Sequence, residues 1–185
     1  MEKLYVVCGQ SGVGKSTVIQ KAAEGMEDLT VVNFGEQILK LALDGGFVKE
    51  GEEVTLLRPE CLSELQVRAT ERVKNLKGRV ILDMHLTVRT PSGFIAGMPK
   101  RVMDVLEPRR IILLEADAYE ILKRRMVGKD RKNVDESLKD IQEHSDFDRA
   151  AAISIAMDIG TPIMILKNDD VEKTALQLRD ILEEQ

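Results

Sequence analysis

The chain contains no tryptophan and only 3% aromatic residues, so any core must be aliphatic, built from Val, Ile, Leu and Met. It has two cysteines, Cys8 and Cys61, without C-x-x-C spacing. That excludes a disulfide framework and a thiolate metal site, and both read as small reduced hydrophobes. The two histidines, His85 and His144, form no H-x-x-x-H pair and no Cys/His cluster, which argues against zinc. His144 reads as a solvent-facing helix residue. An excess of positive charge is also missing. The net charge of −5 argues against sequence-independent nucleic-acid binding, which needs a basic face. No apolar run approaches a membrane span, and the five apolar residues after Met1-Glu2-Lys3 are too few for a signal peptide. The expectation is a soluble, cytoplasmic protein with no membrane partner. There is no internal repeat and no low-complexity segment. The Asn-Lys-x-Asp and Asp-x-x-Gly signatures of GTPase switches are missing too. Lys167-Asn168-Asp169-Asp170 comes nearest and is out of order.

What the chain does have is a complete phosphate-loop pattern. Residues 9 to 17 read Gly9-Gln10-Ser11-Gly12-Val13-Gly14-Lys15-Ser16-Thr17, matching G-x-x-x-x-G-K-[ST]. Glycines let the backbone turn so that successive N–H groups face one anion; Lys15 reaches the β- and γ-phosphates, and the Ser16 hydroxyl can ligate Mg²⁺. The flanks fit. Leu4 to Cys8 is a short apolar run suited to a buried strand, and Thr17 to Glu24 lacks Pro and Gly and suits a helix. That order puts a helix N-terminus, with its positive dipole end, at the phosphates.

The 185 residues, 43% of them hydrophobic, suffice for one α/β domain. Strand patterns at 4–8, 30–33, 80–83, 111–114 and 162–166 alternate with helical patterns at 17–24, 35–44, 59–76, 99–106, 117–126, 136–158 and 171–184. Residues 84–98 read as a loop around the turn tetrapeptide Thr90-Pro91-Ser92-Gly93. Such alternation predicts a three-layer α/β/α fold of the P-loop NTPase type, with a five-stranded parallel sheet and a ligand site at the carboxyl ends of its strands. Asp83 closes the third strand pattern, where a carboxylate can hold Mg²⁺ directly or through water. Met84 follows where ATP-driven machines often place a water-activating Glu, so the pattern leans toward transfer rather than hydrolysis. His85 stands at the mouth of the same expected site. Lys123, Arg124, Arg125, Lys129, Arg131 and Lys132 place six cations in ten residues, with Arg149 further on. A solvated face is the plain reading of such a run. Phosphoryl transfer is the sharper one, because it needs positioned cations. Gly128 within the cluster marks 127–135 as a lid segment that could close over phosphates.

The stretch from Asp83 to Pro99, with Asp83-Met84-His85, Thr90-Pro91-Ser92-Gly93 and Gly97-Met98-Pro99, resembles the Asp-x-His…Thr-Pro-x-Gly…Gly-x-Pro segment of archaeal-type adenylate kinases. Val32-Asn33-Phe34-Gly35 is similar to that family's second strand and turn, and Leu113 to Asp117 to its fourth strand. The resemblance implies Mg·ATP-dependent transfer to AMP giving two ADP, often by a homotrimer. It implies that Gly9 to Thr17 bind ATP phosphates and that Phe34, Gly35, His85, Arg89, Thr90 and Gly93 line the AMP site. The helical segment 36–77 would bind the monophosphate. Lys15, Arg124, Arg131 and Arg149 would clamp the transferring phosphates. The sequence departs from the pattern in two places. Thr55 lies in a segment, Val54 to Leu57, where the family commonly has an Arg, with Arg58 nearby. The lid reads Arg131-Lys132-Asn133 instead of Arg-x-Arg. Both departures touch phosphate contacts and leave the acceptor open. A kinase for another monophosphate or small molecule, and an NTP-dependent switch or binding protein, remain the alternatives.

Overall fold

The computed structural model describes residues 3–50, 54, 56–90, 93–127 and 136–184. Five parallel strands form the sheet: β1 (Lys3–Cys8), β2 (Leu29–Asn33), β3 (Arg79–Met84), β6 (Arg110–Glu115) and β7 (Ile163–Lys167). Their order is β2-β3-β1-β6-β7, which puts β1 at the centre. The apolar runs at β1, β3 and β6 are buried along almost their whole length, as strands covered on both faces must be. Register fixes the carboxyl end of the sheet: Val7 stands opposite Asp83, Asn33 opposite Asp83, and Cys8 opposite Leu113.

Side-chain alternation along β1 divides the core in two. Leu4, Val6 and Cys8 face a layer built from α2 (Phe34–Asp44), α3 (Pro59–Lys74), α4 (Lys100–Leu106) and the later part of α6 (Leu138–Ile159). Tyr5 and Val7 face the opposite layer, made by α1 (Lys15–Ala23), α5 (Ala118–Val127) and α7 (Val171–Glu183). Helix ends follow the local chemistry. Asn33, Ser137 and Asp170 cap α2, α6 and α7 through side-chain oxygens, and Ser137 with Asp140 completes a capping box.

The stretch 84–98 is not the expected plain loop. It holds an antiparallel hairpin, β4 (Thr87–Thr90) and β5 (Gly93–Ala96), with Thr87 opposite Ala96 and Thr90 opposite Gly93. Of the turn tetrapeptide, Thr90 and Gly93 form the hairpin's last pair, and Pro91 and Ser92 lie outside the described residues. Two four-residue strands are too short to announce themselves by alternation, and their pairing shows only in three dimensions. Among the described residues no helix is long and apolar enough to cross a membrane.

Candidate functional site

The loop between β1 and α1 has the backbone that its glycines permit. Gly9 has φ of 143° and Gly14 of 95°, conformations that side chains with a Cβ rarely adopt. A Cβ on Gly9 would also stand 2.4 Å from the Leu114 carbonyl oxygen, and one on Gly14 2.5 Å from Asn168 Nδ2. Side chains from α5 and from beyond β7 hold the loop's carbonyls. Arg125 Nε and Nη2 donate to the Ser11 oxygen at 3.0 and 2.7 Å. Arg124 Nη1 and Asn168 Nδ2 donate to the Val13 oxygen at 3.0 and 2.7 Å. In a planar trans peptide the C=O and N–H point opposite ways. Pinning the carbonyls of Ser11 and Val13 therefore turns the N–H groups of Gly12 and Gly14 the other way. Gln10 is buried, accepts from Arg125 Nη2 at 2.9 Å and donates to the Ile141 carbonyl at 3.3 Å, tying the loop to α6. Lys15 is buried, and its Nζ donates to the Gly9 carbonyl at 2.7 Å. Ser16 and Thr17 are exposed in the first turn of α1.

Asp83 is buried beside this loop. Its Oδ2 accepts from Asn33 Nδ2 at 3.3 Å, while Oδ1 is buried with no hydrogen-bond partner among the described residues. Burial pushes its carboxyl above the ordinary range, against the pull of Lys15, and Glu36 adds to the rise. A buried carboxylate oxygen without a partner is the donor a cation would satisfy. Ser16 and Asp83 line one cavity of about 450 Å³, so the pair fits a Mg²⁺ shared with phosphate oxygens and water. No cluster of three or more His, Cys, Asp or Glu side chains placed to hold a metal occurs among the described residues.

Two further cavities lie side by side. The apolar one, about 250 Å³, is bounded by Phe34, Gly35 and Ile38 of α2, Leu62 and Gln66 of α3, and the hairpin's Val88 and Ile95. The polar one, about 440 Å³, is bounded by Ser11 of the loop, Arg89, Thr90, Arg125, Glu136 and His144. His85 and Val88 belong to both walls, so the two cavities adjoin there. The structure thus brings Phe34, Gly35, His85, Arg89 and Thr90 around two adjoining cavities. Gly93 lines neither cavity; its carbonyl accepts from Thr90 Oγ1 at 2.8 Å in the hairpin turn.

Lys15 and Arg124 bond backbone carbonyls, whereas Arg89, Arg125 and Arg149 are paired with carboxylates. Arg89 Nη2 donates to Asp140 at 3.0 Å and Nη1 lies 3.5 Å from Glu136. Arg125 also pairs with Glu136. Arg149 forms a two-pronged pair with Glu115, with Nε donating at 2.8 Å. Arg131, the 128–135 part of the lid segment, the Lys132-Asn133 departure and Thr55 lie outside the described residues. Arg58 is exposed at the N-cap of α3.

His144 is buried, not solvent-facing. Thr87 Oγ1 donates to Asp148 Oδ1 at 2.6 Å and lies 3.1 Å from His144 Nε2. A hydroxyl has one proton, so Thr87 accepts from Nε2–H of His144. Burial pushes the imidazole down and the Asp148 carboxyl up. Phe94 packs on the His144 ring, with centroids 5.0 Å apart, and stacks on Phe147 at 4.6 Å. This network clamps the hairpin to α6. Sequence reasoning missed it, and also missed Arg125 and Asn168 as braces of the loop, because each acts through a partner distant in the chain. The six-cation run was the one visible signal for Arg125.

A strand, a glycine loop opening a helix, a carboxylate ending the strand alongside and an acceptor-sized space against the loop define a P-loop phosphotransferase. A family model described as an AAA domain matches residues 8–142. An adenylate kinase from Methanothermobacter thermautotrophicus is 35% identical over 98% of this chain and 100% of its own length. One from Thermococcus onnurineus is 34% identical over 99% of this chain and 96% of its own. Among solved structures, a shikimate kinase from Bacteroides thetaiotaomicron superposes with a TM-score of 0.62 at 15% identity, covering 98% of this chain and 99% of that one, a likeness of fold alone. The chain belongs to the AAA domain family of that model and to the adenylate kinase family.

Proposed function

We propose that the protein transfers the γ-phosphoryl group of ATP to AMP, reversibly and with Mg²⁺, giving two ADP. The observation that carries this reading is the meeting of the apolar and polar cavities at His85 and Val88, with Ser11 of the phosphate loop in the polar wall. An apolar cavity suits a nucleobase, and a polar one with arginines suits its phosphate.

In this reading the backbone from Gly9 to Thr17, with Lys15, holds the donor phosphates. Phe34 and Gly35 border the acceptor base. His85, Arg89 and Thr90 border its phosphate, and Gly93 shapes the turn behind them. The acceptor oxygen is already anionic. Its attack forms one P–O bond to the γ-phosphorus and breaks the bond to the β–γ bridging oxygen, so no general base is needed. Charge spreads over the equatorial oxygens, and the protein's task is positioning and electrostatics. Lys15, Arg124 and Arg149 are the cations assigned to that charge, with Arg131 as a fourth. For Arg149 this means exchanging Glu115 for phosphate. Ser16 and Asp83 would hold Mg²⁺, directly or through water; when bound, the ion neutralises charge across the phosphates. Segment 36–77 serves the acceptor side and 127–135 is the lid. A cytoplasmic homotrimer completes the reading; light scattering on the purified protein tests the trimer.

The deciding experiment measures ADP formation from ATP and Mg²⁺ with AMP, GMP, CMP, UMP or dAMP. AMP should give the highest kcat/KM. A higher value with another monophosphate overturns the acceptor, and ATP consumption indifferent to every monophosphate overturns the kinase reading.

A further inference from the structure

We infer that Gln66 selects the acceptor base, by donating a hydrogen bond from its side-chain amide to an unprotonated ring nitrogen. The inference rests on the reading of the apolar cavity as the site of that base. Gln66 sits on α3, is 3% exposed, and is one of two polar side chains in that cavity's wall. The other, His85, is shared with the polar cavity. Gln66 is therefore the polar side chain placed to meet a base edge away from the phosphates.

Its orientation is set from behind. Arg101 Nη2, on α4, donates to Gln66 Oε1 at 2.5 Å, and Arg101 is not in the cavity wall. A guanidinium has donors and no acceptor, so it fixes the amide with oxygen toward α4. What remains for the cavity is Nε2, which has no hydrogen-bond partner among the described residues. Once a base fills the cavity and excludes water, this donor costs free energy unless the base supplies an acceptor.

A donor-only group reads the pairing edge of a base in one sense. Adenine N1 and cytosine N3 are unprotonated and accept. Guanine and hypoxanthine N1 and uracil N3 carry a proton, so donor would face donor. The apolar walls favour the larger of the two permitted bases, because more apolar area leaves water. Arg101 is then a positioning residue: without it the amide can turn over and present Oε1, and the distinction between bases narrows.

The test uses the full chain with ATP and Mg²⁺, and compares kcat/KM for AMP, IMP and the AMP analogue with CH in place of N1. The wild-type protein should use the analogue about 10–100-fold less well than AMP, the range for leaving one buried polar group unpaired. IMP should be used less well still. Gln66→Glu places an acceptor where Nε2 stands, and should raise the IMP:AMP ratio at least about tenfold. Arg101→Met should raise the same ratio with Gln66 intact, and Arg101→Lys should restore it. An analogue used within twofold of AMP by the wild-type protein overturns the inference without recourse to any variant. So does an unchanged ratio in a Gln66→Glu protein that melts as the wild type does. If no AMP-dependent ADP forms at all, the underlying reading fails and this inference falls with it. Normal AMP transfer with an equally good analogue sinks this inference alone.

Discussion

Replacing Gly97 with alanine tests whether the hairpin shapes the acceptor site. Gly97 follows β5, and its N–H donates to the Leu86 carbonyl at 2.9 Å, folding the hairpin back onto the end of β3. A Cβ there would stand 2.3 Å from the His85 carbonyl oxygen and 3.1 Å from its carbon. These are backbone atoms, so no side-chain rotation relieves the contact. The chain must retreat by about 1 Å to reach ordinary van der Waals distance. The retreat moves His85 or Gly97 itself, and both border the apolar cavity. Overpacking of this kind costs about 1–3 kcal/mol. A reacting group misplaced by about 1 Å can slow a reaction on the order of 100-fold. We therefore expect Gly97→Ala to raise the KM for AMP and lower kcat, for a combined loss of about 10–100-fold. The KM for ATP should stay within about twofold, because the phosphate loop is untouched. Steady-state kinetics with each substrate varied, alongside urea unfolding, separates the site effect from instability. A folded Gly97→Ala protein with unchanged KM for AMP and unchanged kcat would refute the argument that this close approach sets the acceptor geometry.

Three more outcomes follow from the same contacts. Lys15→Ala removes the cation bonded to Gly9, and should lower kcat on the order of 10²–10³-fold without altering the fold; near-normal turnover with native circular dichroism would detach this loop from catalysis. Glu136→Gln weakens the competing partner of Arg89 and Arg125, and should lower the KM for AMP about two- to fivefold; a raised KM would mean that Glu136 serves the bound state instead. Asp140, hydrogen-bonded by the Ser137 hydroxyl and N–H and then by Arg89, has its carboxyl held down at about 2. A depressed folded value means that this stabilisation is complete above the ordinary carboxylate range and lost as pH falls toward 2. Melting temperature should drop between pH 4 and 2, and drop less in Asp140→Asn; parallel curves for the two proteins would count against the linkage.

The parts legible in the sequence were those with local causes. Gly9 to Thr17 needs no distant partner to be recognised, and the strands at β1, β3 and β6 are apolar runs long enough to stand out. Asp83 closes an apolar strand pattern that is legible on its own, but the hydrogen bond from Asn33 to its Oδ2 follows from parallel register, which no local pattern encodes. The buried stripe of α6 runs Ile141, His144, Asp148, Ala152 and Ala156. Two of those five are polar, so the stripe imitates a solvated face. It becomes a buried face only because Thr87 arrives from a hairpin that is itself illegible. Asn168 stands in the sequence only as part of an incomplete nucleotide-base motif; its role in holding Val13 depends on β7 ending beside the loop.

The position of Asp140 has a mechanical meaning. One carboxylate both closes the first turn of α6 and anchors Arg89 in the polar cavity. Any anion that draws Arg89 away therefore loosens a terminus lying just beyond residues 128–135, and any fixing of that terminus changes how readily Arg89 turns toward an anion. Because linkage is reciprocal, the two events share one coupling free energy. Occupancy of the polar cavity and order at the start of α6 would then titrate as a single variable, with Arg89, held by Asp140 and Glu136, as the joint between them.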